Sequence, residues 1–209
     1  MSNLFQRAVL DGGIMMFFLI PCSVIALAYI LQGLISLRRE RLAPSRLVEV
    51  ANSARSSHEI EATHRRLAAD LSPLGRVVSE LARLRPEGTE RLERETDRLA
   101  GEETTMLYQR WVAPLALIRN VALYLGLLGT ILGIMRAFGE FATGTEQSVE
   151  LLGQGINQAL VTTAWGLSIA IPSMIFVHIF RQRLITCERV TLPEIALAIH
   201  RRLIEGEKS

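Results

Sequence analysis

Three threonines and one glutamine are the side chains of this sequence best placed to do chemistry in surroundings almost empty of charge. Thr130 lies in an uncharged, glycine-punctuated stretch, residues 126–135, and Thr162 and Thr163 lie in a second, residues 153–174. Gln158 precedes Thr162 by four residues, so the two share a face of a helix. Hydroxyls and amides can ligate a small hard cation or pass a proton along a hydrogen-bonded chain, but none of them titrates near neutral pH. A single threonine commonly bonds back to a carbonyl of its own helix. Three threonines spread over two apolar segments, with Asn157 and Gln158 a turn away, instead form a polar strip suited to a narrow, partly hydrated ion path. Neither stretch contains Asp or Glu. A proton relay in a membrane needs an ionisable group, so the acid has to come from a helix of another chain lying among copies of this one.

Small residues must bring these side chains together. Lipid gives helices no hydrophobic reason to associate, and close backbone packing takes its place. Gly155, Ala159, Thr163, Gly166, Ala170 and Ser173 recur at steps of four and three, and Gly126, Gly129 or Thr130, and Gly133 repeat the theme. Each series is a packing face for a neighbouring helix, including copies of the same chain.

The 209 residues are 49% hydrophobic and 6% aromatic, with a formal net charge of +2. Those averages hide a segregation of charge-free blocks from an Arg/Glu-rich one. A helix needs about 20 mostly apolar residues to cross the hydrocarbon core. Residues 12–37, 111–135 and 151–180 qualify, with Arg119 the only Asp, Glu, Lys or Arg in any of them. The expected class is therefore an all-α integral membrane protein with three transmembrane helices and long cytoplasmic helical extensions. Residues 1–11 form an outer tail, 38–110 a cytoplasmic helical domain, 136–150 an outer loop and 181–209 a cytoplasmic C-terminal helix. The first apolar run is far longer than a secretory h-region of roughly 7–15 residues and reads as a retained anchor. Arg38, Arg39, Arg41 and Arg46 follow the first span and Arg181, Arg183 and Arg189 the third. The positive-inside rule then puts the N-terminus outside and the C-terminus inside, with Arg136 as a weak counter-signal.

In the charged block Leu42, Leu47, Val48 and Val50, then Leu67, Leu71, Leu74, Val77, Val78, Leu81 and Leu84, keep helical spacing. Arg85-Pro86-Glu87-Gly88 interrupts the pattern, and Leu92, Leu99 and Met106 resume it up to Trp111. Residues 89–108 are expected to run on into the second span, with Pro114 kinking or starting its embedded part. Basic residues are too interleaved with acids for nucleic-acid binding. Cys22 and Cys187 make neither a disulfide nor a metal set, and His58 and His64 read as surface histidines. No nucleophile–base pair, phosphate loop or metal-ligand set points to an enzyme or to a bound cofactor.

The residues that carry the polar strip also carry a resemblance. LGLLGTILGIM at residues 125–135, followed by Ala137-Phe138, and the series Gly155-Ile156, residues 159–164 (ALVTTA), Gly166-Leu167 and Ala170-Ile171-Pro172 are similar to the MotA/TolQ/ExbB proton channel family. Three spans rather than four resemble the ExbB/TolQ branch. The resemblance implies a homopentameric ring in the bacterial inner membrane around a single-span ExbD/TolR-like partner that supplies a membrane Asp. It implies transport of H+ or Na+ and work passed to the envelope through a TonB/TolA-like protein. It matches Thr130 and Thr163 to pore-facing threonines and makes Thr162 an additional hydroxyl. Gln158 stands where ExbB and TolQ proteins typically carry Glu, which leaves the choice between proton and sodium open. An ExbB-like energising of outer-membrane transport is the first expectation, TolQ-like envelope maintenance the second, and a non-conducting scaffold the alternative class.

Overall fold

The computed structural model describes residues 13–45, 49, 70, 72–84, 88–142 and 148–207. The N-terminal tail, most of the first half of the charged block (with Leu47, Val48, Val50, Leu67, Leu71, His58 and His64) and Pro86 lie outside the described residues. A 3-10 turn at Gly13–Met15 leads into α1 (Met16–Ser36), followed by the single turn α2 (Arg39–Leu42), α3 (Pro73–Leu84), α4 (Thr89–Leu107), α5 (Ala113–Phe141), α6 (Ser148–Thr186) and α7 (Leu192–Glu207). No strand occurs among the described residues. Three helical stretches are long and apolar enough to cross a membrane: Gly13–Ser36, Thr89–Phe141 and Val149–Ile199. The protein is thus all-helical with three candidate spans.

The helix ends differ from the sequence expectation in one informative place. The backbone stays helical past Met135 to Phe141 and is helical again from Ser148. Residues 136–141 contain no proline, and Ala137 is fully buried against Gly155, where a Cβ would meet that of Ala137 at 2.6 Å. Tertiary packing therefore continues the helix beyond the apolar run.

Two π-helical turns, Tyr108–Val112 and Cys187–Thr191, each end two residues before a proline, Pro114 and Pro193. Proline lacks the N–H for the i→i−4 bond and crowds the carbonyl four residues back. A widened turn with i→i−5 bonding absorbs that misfit. The amide of Leu192 bonds to the Cys187 carbonyl in this way.

The chain divides into two compact units, residues 1–31 with 113–178, and residues 32–112 with 179–209. In the first, Met16, Leu19, Ala26 and Ile30 of α1 are buried, as are Leu115, Ala122 and Ala137 of α5 and Ala159, Ile169 and Ala170 of α6. Phe17, Val24, Leu127, Ile131, Leu160 and Ile171 face outward. Outward apolar side chains on this scale suit lipid or sister helices rather than water.

In the second unit α3, α4 and α7 pack on one another. Leu74, Val77, Val78 and Leu81 of α3 are buried at i, i+3, i+4, i+7 spacing. The start of α3 is set by Ser72, whose hydroxyl accepts the Gly75 N–H at 3.1 Å ahead of Pro73 in the first helical position. Gly88, at φ +84°, supplies the break before α4. Leu92 and Leu99 are buried as their spacing predicts, whereas Met106 is exposed and burial passes to Glu103 and Thr104.

Candidate functional site

The first unit brings α5 and α6 together through backbone rather than side chains. Ala122, Gly126, Gly129, Gly133 and Ala137 are the buried small residues of α5, Gly155, Ala159, Thr162 and Gly166 answer them on α6, and Ala170 is buried farther along that helix. A Cβ at Gly166 would lie 2.8 Å from the Ala122 carbonyl and 2.9 Å from the Gly126 Cα. A Cβ at Gly133 would lie 2.9 Å from the Ala159 Cβ and 3.0 Å from the Gly155 carbonyl. Of the packing series read from sequence, Gly126, Gly129, Gly133, Gly155, Ala159 and Gly166 lie in this seam, with Thr162 packing over Gly129. Ala122 and Ala137 belong to it too, and their own four-residue spacing to Gly126 and Gly133 was the signal for them.

Two threonine hydroxyls meet across the seam. Thr130 and Thr163 are hydrogen-bonded to each other through Oγ1. Each Oγ1 also lies 3.2 Å from the Gly126 carbonyl, and that of Thr130 lies 3.5 Å from the Ala159 carbonyl. A hydroxyl carries one proton and accepts on its oxygen. Two hydrogen arrangements therefore satisfy the pair. In one, Thr130 donates to Thr163 and Thr163 to Gly126. In the other, Thr163 donates to Thr130 and Thr130 to a carbonyl. The pair can reverse its polarity by rotating two hydroxyls, without moving a heavy atom. Both residues are half-buried.

Thr162 and Gln158 occupy a different position. Thr162 is 1% exposed, and its hydroxyl donates within α6 to the Ala159 carbonyl at 2.9 Å, with the Gln158 carbonyl at 3.2 Å. Its side chain fills the space over Gly129, where a Cβ would come within 2.6 Å of the Thr162 Cβ. Gln158 and Thr162 line a small cavity of about 140 Å³ together with Ile14, Met15, Gly133 and Arg136. The four polar residues singled out from sequence thus divide into two pairs, and the Ala159 carbonyl, accepting from both Thr130 and Thr162, stands between them.

Sequence reasoning missed Gly13. It adopts φ +59°, and any side chain there would collide with the Gln158 amide. The Gly12-Gly13 doublet was the available signal. The Gly126 and Ala159 carbonyls, the other half of the polar site, leave no trace in residue types.

Residues 58–189 match the profile of the MotA/TolQ/ExbB proton channel family, a segment containing both threonines and the whole seam. The chain is 34% identical over 177 residues to the biopolymer transport protein ExbB-like 3 of Synechocystis sp., covering 81% of each chain. It is 40% identical over 60 residues to the Tol-Pal system protein TolQ of Haemophilus influenzae, 29% of this chain and 26% of that one. It is 35% identical over 85 residues to the biopolymer transport protein ExbB of Salmonella typhimurium, 41% of this chain and 34% of that one. A profile match over more than half the chain, and a relative matched over four-fifths of its length, place this membrane protein in the MotA/TolQ/ExbB proton channel family, in its ExbB/TolQ-like branch.

Proposed function

We propose that the chain is the ring-forming, ion-conducting subunit of an ExbB-like energiser in the bacterial inner membrane. The carrying observation is the Thr130–Thr163 hydroxyl pair, seated in a glycine seam that holds α5 and α6 at backbone contact. Five copies would surround a single-span partner of the ExbD/TolR kind, whose membrane Asp is the titrating group that the pair lacks. In this reading the N-terminus is periplasmic and the C-terminus cytoplasmic, and ion flow drives work handed on through a TonB/TolA-like protein. H+ is the proposed ion. Na+ is the alternative, because Gln158 offers an amide where a carboxylate is usual in the branch. TolQ-like envelope maintenance is the alternative task.

The test is co-expression with the partner, purification of the complex, and measurement of ion-driven work with and without sodium. Thr130→Val and Thr163→Val should each still assemble but reduce the driven process at least tenfold. Normal activity in both would reject the path.

One observation favours a second reading, a non-conducting scaffold. The hydroxyls of Thr130, Thr162 and Thr163 each have an acceptor within the chain. Under that reading Gly166→Leu destroys assembly, while the threonine variants are harmless.

A further inference from the structure

The second unit holds a cavity of about 490 Å³ where the chain leaves its first charge-free run. Leu37, Arg38 and Leu42 line one side, and Arg183, Thr186 and Cys187 the other. The walls are held by Gly33 and Phe180. The Phe180 ring is fully buried, and a Cβ at Gly33 would lie 2.5 Å from it. Leu37, Leu42 and Cys187 are 5% exposed or less and give the cavity an apolar floor.

Its two arginines, like Arg41, Arg181 and Arg189 and unlike four others of the same unit, have no carboxylate partner among the described residues. Arg76, Arg83, Arg94 and Arg98 of the same unit each lie within 3.4 Å of a glutamate. Arg38 and Arg183 are exposed. Arg38 is the first charge after residues 12–37, and Arg183 follows closely on residues 151–180. Both fall where a spanning chain reaches the headgroup layer. Two exposed guanidinium groups over an apolar floor fit an anion with a hydrocarbon tail, and a basic pocket between spanning helices is how proteins hold acidic headgroups.

We propose that this cavity seats an anionic phospholipid, with its phosphate between Arg38 and Arg183 and the first acyl methylenes against Leu37 and Leu42. A free phosphate would leave that apolar floor uncovered. The proposal does not depend on which ion the protein moves, nor on whether it conducts.

The experiment is native mass spectrometry of the full-length assembled protein carrying added phosphatidylglycerol or phosphatidylcholine. The wild type should retain phosphatidylglycerol and shed phosphatidylcholine, and inorganic phosphate should not displace the lipid. Arg38→Gln and Arg183→Gln should each weaken retention roughly fivefold, and Arg94→Gln should leave it unchanged. Thr186→Trp, which fills the cavity and keeps both arginines, should also expel the lipid and serves if the arginine variants do not fold. Equal retention of phosphatidylcholine, undiminished retention in these variants, or displacement by inorganic phosphate would overturn the site.

Discussion

The hydroxyls of Thr130 and Thr163 share one hydrogen bond and one backbone acceptor, the Gly126 carbonyl, 3.2 Å from each oxygen. Neither group titrates in the working pH range. A pair of this kind can relay or solvate an ion but cannot gate it by protonation. In the proposed function the pH dependence of transport at this point of the path therefore originates in the partner's acid and not in the threonine pair.

The pair should show coupling in a double-mutant cycle. Thr130→Val or Thr163→Val alone leaves one hydroxyl without its partner, costing about 1 kcal/mol. Thr130→Val/Thr163→Val removes both and should cost less than the sum. Unfolding in detergent measures the cycle, and strict additivity would mean that the hydroxyls do not interact.

The glycine seam predicts a sharp contrast among alanine variants. Gly166→Ala and Gly133→Ala push a methyl group against backbone or a buried Cβ at 2.8 Å and 2.9 Å and should destabilise by about 1–3 kcal/mol. Gly153→Ala meets nothing within 4 Å and should be neutral or stabilise by up to about 1 kcal/mol through helix propensity. Thermal unfolding of the three variants separates the cases. Equal losses at all three positions would show that the contacts do not matter.

Glu103 should give the second unit an acid-side stability gradient. The residue is 8% exposed, and its Oε2 has no hydrogen-bond donor among the described residues. Burial raises its pKa above the usual carboxylate value. The Arg76 guanidinium, 3.4 Å away, opposes that rise, and the Glu102 charge adds to it. A carboxyl with a raised folded-state pKa favours the fold while protonated, and that contribution is lost as pH rises from its unfolded value through the raised one. Glu103→Gln should flatten this part of the melting profile above pH 4.5, the ordinary value. Identical profiles in both proteins would refute the assignment.

Cys187 should be chemically silent in the folded protein. It is 2% exposed; burial, and secondarily the Glu188 charge, push its pKa to about 11. In a Cys22→Ser background, alkylation at pH 8 should run about 200-fold slower than for an open cysteine, from thiolate fraction alone. Denaturant should restore the ordinary rate. Rapid labelling under native conditions would show that the turn opens.

Much of this architecture is legible in the residues. Three apolar runs place the candidate spans, and the alternation of Gly126, Gly129 and Gly133 with Gly155, Ala159 and Gly166 is already a packing face. The α3 stripe and the Gly88 break follow from spacing and backbone freedom. What the sequence hid is what backbone decides. Threonine types could not say that Thr163 meets Thr130 while Thr162 turns back on its own helix, because adjacent residues on α6 differ by about 100° in direction. The extension of α5 to Phe141 depends on Ala137 meeting Gly155, a contact between distant residues.

The glycine seam has a mechanical corollary. Where α5 and α6 touch, at Gly126 with Gly166 and Gly133 with Gly155, main chain meets main chain, and there are no flexible side chains to change rotamer and let one helix slide past the other. The hairpin is built as one stiff blade. In the proposed function a working stroke would then be taken up at its outer surfaces, where Leu127, Ile131, Leu160 and Ile171 stand free of the seam, and such a blade would turn as a whole against its neighbours.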